Sequence, residues 1–145
     1  MSESRKAQFV AVFDFGAQYG QLIARRVRDL HVYSEIVPCD ISADELAAMA
    51  PSAIILSGGP ASVYADDAPD MDEKVFSLGI PIFGFCYGQQ IMAVKLGGTV
   101  GHTEKGEYGP ARLARHGHCR ILAETPDFQT VWMSHRDAVS EVPEG

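Results

Sequence analysis

The chain has 145 residues, of which 46% are hydrophobic and 21% charged, a composition typical of one ordinary globular domain. Its net charge of -7 argues against nucleic acid as a partner held by phosphate attraction. No apolar run approaches the ~20 residues of a membrane helix, and the N-terminus MSESRKAQ lacks a signal-peptide core, so a cytoplasmic protein without membrane contact is expected.

Strands and helices alternate over the first hundred residues. Four apolar runs predict strands that are covered on both faces: FVAVFDF, VYSEIVP, AIILS and IPIFGF. The predicted helices are GQLIARRVRDL, SADELAAM, residues 70–78 and YGQQIMAVKL. The first helix is predicted to have an apolar face of four residues: Leu22, Ile23, Val27 and Leu30. In the second helix, Ser42 and Glu45 match a capping box. This alternation predicts an open, mostly parallel, doubly wound α/β sheet.

The pattern changes after Gly98. The segments GTVGHTE, YGPARLAR, CRILAE and TVWMS predict short strands joined by turns, and SEVPEG is typical of a loop. We therefore expect residues 1–145 to form one domain, incomplete at its C-terminus, with antiparallel hairpins attached to the parallel core.

Four unusual segments follow predicted strands: DFGAQYG, SGGPASV, FCYGQQ and MSHRDAV. In an open α/β sheet, the functional crevice lies at the carboxyl ends of the strands. The sequence therefore predicts that these four loops form the functional site.

The third loop contains Gly84-Phe85-Cys86-Tyr87-Gly88, a G-x-S-x-G elbow pattern with cysteine in place of serine. A thiol at this point faces a helix N-terminus, whose partial positive charge favours the thiolate. The amide of Tyr87, the residue after the nucleophile, is left free to hold an oxyanion. The alternative is a structural buried cysteine.

The second loop, SGGP, places Gly58 and Gly59 after a buried strand, with Pro60 to stiffen the turn. Backbone amides without side chains in the way could supply the second donor of an oxyanion hole. A phosphate-binding loop is a weaker alternative because the lysine of a P-loop is missing, and an ordinary tight turn is a third possibility.

Cys86 with Gly88 and Gln90, preceded by SGGP, resembles the class I glutamine amidotransferases. The resemblance continues through DFGAQYGQLIARRVRDLHVYSEIVP, KGEYGPARL and VWMSH, and so covers about residues 8–140. It implies a flavodoxin-like fold. It also implies that Cys86 attacks the side-chain amide of glutamine, releases ammonia and leaves a glutamyl thioester that water hydrolyses.

The same resemblance implies the other site residues. The amides of Gly59 and Tyr87 would hold the oxyanion. The substrate glutamine would be bound by four residues: Gly58, Gln90, Ser134 and His135.

Within this family, the stretch DFG-x-QY-x-QLIARRVR is similar to members that deliver ammonia to a separate ATP-pyrophosphatase (synthetase) domain, which aminates a nucleotide. This implies that the present domain uses no metal or cofactor, whereas ATP and Mg²⁺ belong to the synthetase domain. It also implies that the synthetase domain is the partner and that the complete enzyme is a homodimer.

The general base and its carboxylate come from a His-Pro-Glu motif in this family, and no histidine of this chain is followed by Pro-Glu. Little or no turnover is therefore expected of the 145 residues alone. His135, with Asp137 two residues on, is a possible but less favoured substitute base. Arg136 replaces the glycine of the usual SHGD, which changes the expected course of that loop.

Two other interpretations remain open. The chain could bind glutamine or dock on the synthetase domain without turnover, or it could be a different hydrolase with a cysteine elbow. The segment His116-x-His118-Cys119 could form part of a metal site, although a polar turn is favoured because neighbouring strand residues point in opposite directions.

Overall fold

A computed structural model of the chain describes residues 8–59 and 62–145, apart from the side chain of Glu104. The described residues fall into two compact units. The first comprises the residues up to Val100 together with Val139–Gly145, and the second comprises Gly101–Ala138. No helix of the described residues is long and apolar enough to cross a membrane.

The first unit contains a parallel sheet of four strands in the order β2-β1-β3-β4. The strands are β1 (Phe9–Asp14), β2 (Tyr33–Pro38), β3 (Ala53–Leu56) and β4 (Ile82–Gly84). The helices are α1 (Tyr19–Asp29), α2 (Ala43–Met49) and α3 (Tyr87–Lys95). The parallel α/β sheet predicted from the alternating pattern is confirmed.

Both faces of this sheet are covered. Ala11, Val12 and Phe13 follow one another in β1 and are all fully buried, although neighbouring strand residues point to opposite faces. On the Val12 side, the Ser34 hydroxyl donates to the Ala24 carbonyl of α1 over 2.8 Å. The other face carries the main apolar cluster, which includes Phe9, Phe13, Val37, Leu46, Ile54, Leu56, Val75, Tyr87 and Ile91. The sheet is therefore doubly wound.

The buried face of α1 differs from the predicted one. Leu22 and Leu30 are 55% and 76% exposed and Ile23 and Val27 are half-buried, whereas the buried residues of the helix are Gly20 and Ala24. The reason is the hydrogen bond from β2 to the Ala24 carbonyl, which requires a close approach of helix and sheet. Small residues allow that approach, and they turn the two leucines outward.

The capping box of α2 is confirmed, since the Ser42 hydroxyl accepts from the Glu45 amide and the Glu45 carboxylate accepts from the Ser42 amide. The helix predicted over 70–78 is instead a short 3₁₀ helix, Glu73–Ser77. Its cap, Asp72, accepts from the Lys74 amide at 3.0 Å and from the Ala43 amide at 2.9 Å. One carboxylate therefore joins the starts of two helical segments.

The C-terminal strands are longer than the sequence predicted. β5 (Thr99–Ala114) pairs with β6 (Phe128–Glu141) in a sheet of two strands. The Thr103 hydroxyl donates to the Arg136 carbonyl, and the Arg115 amide donates to the Asp127 carbonyl, so the pairing is antiparallel. The antiparallel arrangement is confirmed, but GTVGHTE and YGPARLAR belong to one strand.

Two further expectations about this region are wrong. The predicted strand CRILAE contains a 3₁₀ turn at Arg120–Leu122, and the predicted loop MSHRDAV lies within β6. Glycines explain the misassignment of β5 as two strands, because Gly106 and Gly109 have φ angles of 54° and 113° and lie inside the strand as local kinks. A kinked strand and two short strands have the same sequence pattern.

The amides of Ala43 and Lys74 hold the pKa of Asp72 below its ordinary value of 3.8. This stabilisation is present above that pH and is lost as the pH falls through the lower pKa of the folded state. We expect Asp72→Ala to lower the urea midpoint at pH 7 and to flatten its fall at acid pH. Asp66→Ala, at an exposed position nearby, is the control. Equal midpoints for the two variants at pH 7 would contradict this role of Asp72.

Candidate active site

Cys86 lies at a sharp turn between β4 and α3. Its φ and ψ angles are 47° and -112°, a region that costs a residue with a side chain about 1–3 kcal/mol. The Gln90 amide donates to the Cys86 carbonyl over 3.1 Å, so α3 begins directly after the turn. The predicted order of strand, turn and helix around this cysteine is confirmed.

The glycines on either side of Cys86 are required by close backbone contacts. A Cβ atom on Gly88 would lie 2.3 Å from the Leu56 carbonyl oxygen, and one on Gly84 would lie 2.7 Å from the Gln89 amide nitrogen. The Gly88 amide also donates to the Ser57 carbonyl over 3.0 Å. The first turn of α3 therefore packs directly against the end of β3.

Two amides beside Cys86 remain available as donors. Those of Gly88 and Phe85 bond to β3 and its following residue, but those of Gly59 and Tyr87 donate to no residue that the structure describes. A Cβ atom on Gly58 would lie 4.0 Å from the Cys86 Cβ, so the glycine loop borders the cysteine. Pro60, which the sequence predicted to stiffen this loop, lies outside the described residues.

The side chain of Tyr87 is buried, with 2% of its surface exposed. Its ring centroid is 5.2 Å from that of Phe15, and its hydroxyl donates to the Pro69 carbonyl. Burial, and then the charges of Asp70 and Cys39, raise the pKa of Tyr87 to about 12. The hydroxyl is therefore a neutral donor at physiological pH.

Tyr19 is a neighbour of the site to which the sequence assigned no role. Its Cδ2 atom is 3.7 Å from the position of a Cβ on Gly58, and the residue is 62% exposed. The loop before it is a strand-end loop as predicted, with the Gly16 amide bonded to the Asp14 carboxylate over 2.8 Å. The unusual composition of DFGAQYG marked this loop, but only the fold brings its tyrosine beside Gly58.

The three cysteines are free, and they differ in exposure. Cys86 and Cys119 are exposed, whereas Cys39 is half-buried. Burial, with the nearby charge of Asp40 next in effect, raises the pKa of the Cys39 thiol. The raised pKa leaves less thiolate on Cys39 at neutral pH. Gln90 lies in α3 one turn after Cys86, with 7% of its surface exposed.

Ser134 and His135 belong to the second unit, within β6 and not in a loop. Ser134 is exposed. His135 Nε2 lies 3.1 Å from the Glu107 carboxylate, and its Nδ1 is buried with no hydrogen-bond partner in the part of the chain that the structure describes. The predicted SHRD loop is thus a strand.

The possible pairing of His135 with Asp137 is wrong. Asp137 is buried, and its Oδ1 lies 2.7 Å from Nδ1 of His102 on the opposite strand. His102 and His135 therefore each contact a carboxylate on the opposite strand, that of Asp137 and that of Glu107 respectively. The two residues share a strand face by spacing, but the cross-strand register decides which partner each one meets.

The polar turn predicted for His116-x-His118-Cys119 is confirmed, because these residues lie in a bend between β5 and the following 3₁₀ turn, with Gly117 at φ 73°. No group of three or more potential metal ligands occurs within residues 8–59 and 62–145.

Comparison with known proteins decides the family. The family described as glutamine amidotransferase class-I matches residues 11–145. The chain belongs to this family. The GMP synthase of Thermobifida fusca is 57% identical over 94% of this chain, and that of Streptomyces avermitilis is 56% identical over 94%. The chain spans 26% of the length of each of these relatives.

Solved structures agree with the fold of this amidotransferase domain. A protein from Thermoplasma acidophilum that is assigned as one component of a GMP synthase superposes with a TM-score of 0.78 at 29% identity, over 95% of this chain and 69% of its own. A glutamine amidotransferase from Thermotoga maritima has a TM-score of 0.69 at 19% identity, over 93% and 63% of the two chains. The predicted fold class and the resemblance to class I glutamine amidotransferases are both confirmed.

The contact of Gly88 with β3 gives a direct test of the elbow. We expect Gly88→Ala to lower the free energy of unfolding by about 1–3 kcal/mol, because a methyl group 2.3 Å from a carbonyl oxygen forces the backbone to move. Urea unfolding followed by circular dichroism measures this change.

The matched control is Gly20→Ala in α1, where the added Cβ would meet its nearest neighbours at an ordinary 3.8 Å. This variant is expected to be at least as stable as the parent, because alanine is the better helix former. Equal stability of the two variants would contradict the close packing of the elbow.

Proposed function

We propose that the chain is the glutamine-hydrolysing part of a GMP synthase. The observation that carries the proposal is the strained Cys86 turn with two available amides, on Gly59 and Tyr87, next to it. An exposed thiol at the start of a helix, with unbonded amides in the adjoining segments, is suited to attack on a carbonyl group and poorly suited to a structural role.

In the proposed reaction, the Cys86 sulfur forms a bond with the side-chain carbonyl carbon of glutamine. The carbonyl oxygen becomes an oxyanion, which accepts hydrogen bonds from the amides of Gly59 and Tyr87. The C–N bond then breaks, and the nitrogen takes up the proton that the Cys86 thiol gave up and leaves as ammonia. Water hydrolyses the resulting thioester to glutamate. Loss of one oxyanion donor typically costs about 2.7–4 kcal/mol of transition-state stabilisation.

Four residues are proposed to hold the substrate glutamine: Gly58, Gln90, Ser134 and His135. For Gly58 the support is its contact with Cys86, and for Gln90 its position one turn into the elbow helix. For Ser134 and His135 the support is the family resemblance of VWMSH, together with the exposure of Ser134.

The proposed destination of the ammonia is the synthetase domain of the complete enzyme. There XMP, activated with ATP and Mg²⁺, would be aminated to GMP, whereas this domain would need no cofactor or metal of its own. The support is the similarity to GMP synthases in which this domain accounts for about a quarter of the chain. We also propose a homodimeric complete enzyme and a cytoplasmic location, for which three free cysteines are suitable.

A glutamine-binding domain without turnover is the second candidate. The observation that favours it is the pairing in the second unit, where His135 contacts Glu107 and Asp137 contacts His102. In addition, no histidine in the 145 residues precedes Pro-Glu.

We expect a chloromethyl ketone analogue of glutamine to alkylate Cys86 in preference to Cys39 and Cys119. Cys86 is exposed beside the two amides, whereas burial raises the pKa of Cys39. Peptide mapping by mass spectrometry identifies the labelled residue. Glutamine should protect against labelling and asparagine should not, and preferential labelling at either other cysteine would contradict the assignment.

We expect the 145-residue chain to release ammonia from glutamine at least about 100-fold more slowly than a complete GMP synthase, because a general base contributes about 10²–10⁴ to such rates. A coupled glutamate dehydrogenase assay measures the release, with Cys86→Ala as background. A rate equal to that of a complete enzyme would show that the chain contains its own base. Loss of that rate in His135→Gln would then assign the base to His135.

A further inference from the structure

The Tyr87 side chain contacts three separate segments of the first unit, beyond the role proposed for its backbone amide. Its ring lies against Gly59 on one side and Phe15 on another, and its hydroxyl reaches Pro69. These contacts join the loop after β3, the loop after β1 and the segment before the 3₁₀ helix. All three meet at the first residue of α3.

The contact with Gly59 leaves no room for a side chain at that position. A Cβ atom on Gly59 would lie 2.7 Å from Cγ of Tyr87 and 3.1 Å from its Cβ and Cδ1. Only a glycine fits there, so the backbone of Gly59 rests directly on the tyrosine ring. The thickness of the ring therefore determines how far the Gly59 amide stands from the start of α3.

The ring cannot withdraw from this position without disturbing the core. Phe15 and Tyr87 are 1% and 2% exposed. Their ring centroids are 5.2 Å apart, with an interplanar angle of 51°. Protein interiors are close-packed, so removing part of this pair leaves a cavity that neighbours fill only partly. The packing with Phe15 therefore restricts movement of the Tyr87 ring.

The hydroxyl fixes the far end of the ring. It donates to the Pro69 carbonyl, and the next residue, Asp70, forms an ion pair with Lys95 at 2.7 Å. Tyr87 and Lys95 are the first and last residues of α3, so two consecutive residues hold both ends of the helix. The hydrogen bond from the Lys95 ammonium also lowers the pKa of Asp70.

We propose that the side chain of Tyr87 is a positioning group that sets the separation of the two oxyanion donors, its own amide and the amide of Gly59. This inference rests on the function proposed above. Oxyanion donors act on one oxygen at about 2.7–3.1 Å each, so the gap between them matters for the charged intermediate and little for the bound substrate. The hydroxyl tether and the ring thickness together hold that gap constant.

Two reagents separate this role from a general structural one. With the chloromethyl ketone, the thiolate adds to the ketone carbon and forms an alkoxide. The sulfur then displaces chloride from the neighbouring methylene carbon, and its bond to the former ketone carbon breaks as the carbonyl reforms. Iodoacetamide alkylates the same sulfur by direct displacement of iodide, without an oxyanion. The ratio of the two second-order rate constants at Cys86 therefore reports on the oxyanion hole, and each rate is followed by peptide mapping with mass spectrometry, which separates Cys86 from Cys39 and Cys119.

We expect Tyr87→Phe, which keeps the ring and removes the tether, to lower the ketone rate about 3- to 10-fold, the range expected for one net hydrogen bond. The iodoacetamide rate should stay within about twofold of the parent, since direct displacement makes no use of the donors. Tyr87→Leu, which removes the spacer, should lower the ratio further. Tyr33→Phe is the matched control, because it removes a phenol hydroxyl from an exposed tyrosine of β2 and should change neither rate.

Two results for Tyr87→Phe would overturn the positioning role. One is an unchanged ratio of the ketone rate to the iodoacetamide rate. The other is an equal fall of both rates, which would show only that the turn around Cys86 is less well ordered. A urea midpoint for each variant identifies loss of folding, and Tyr87→Phe alone decides the matter if Tyr87→Leu does not fold. A parent chain whose Cys86 shows no preference for the glutamine analogue would overturn the proposed function, and this inference with it.

Discussion

The contact between the start of α3 and the end of β3 is the constraint on which the site depends. Gly88 lies so close to the Leu56 carbonyl that no side chain fits between them, and its amide bonds to Ser57. This contact leaves the chain two residues, Phe85 and Cys86, in which to turn from strand to helix, and Cys86 takes the positive-φ conformation that the turn requires. The cost of that conformation is met by the hydrogen bonds and packing on both sides of it.

The same contact between α3 and β3 explains why a backbone amide is left without an acceptor at this turn. The amides of Phe85 and Gly88 bond back to β3 and the residue after it, which leaves the Tyr87 amide between them without a described partner. The loop after β3 then runs past the Tyr87 ring with Gly59 in contact. A nucleophile and two donors from different loops thus result from parallel strands that end at one edge of the sheet.

The contrast between the two halves of the chain shows where sequence patterns suffice. The capping box at Ser42 and the glycine pattern around Cys86 are local, and each predicts a structure made within a few residues. The face of α1 and the partner of Asp137 are not local. Exposed Leu22 follows from the hydrogen bond to Ala24, and the pairing of Asp137 with His102 follows from strand register.

By itself, the sequence determined the parallel α/β sheet, the cysteine turn and the resemblance to class I glutamine amidotransferases, because apolar periodicity, glycine spacing and contiguous motifs are all written along the chain. Only the tertiary structure decided that Gly59 rests on the Tyr87 ring, that Tyr19 borders Gly58, and that SHRD belongs to a long strand. These facts join residues far apart in the chain or depend on which strands pair. The physical reason is that packing distance and register arise between segments, where no spacing within one segment specifies them.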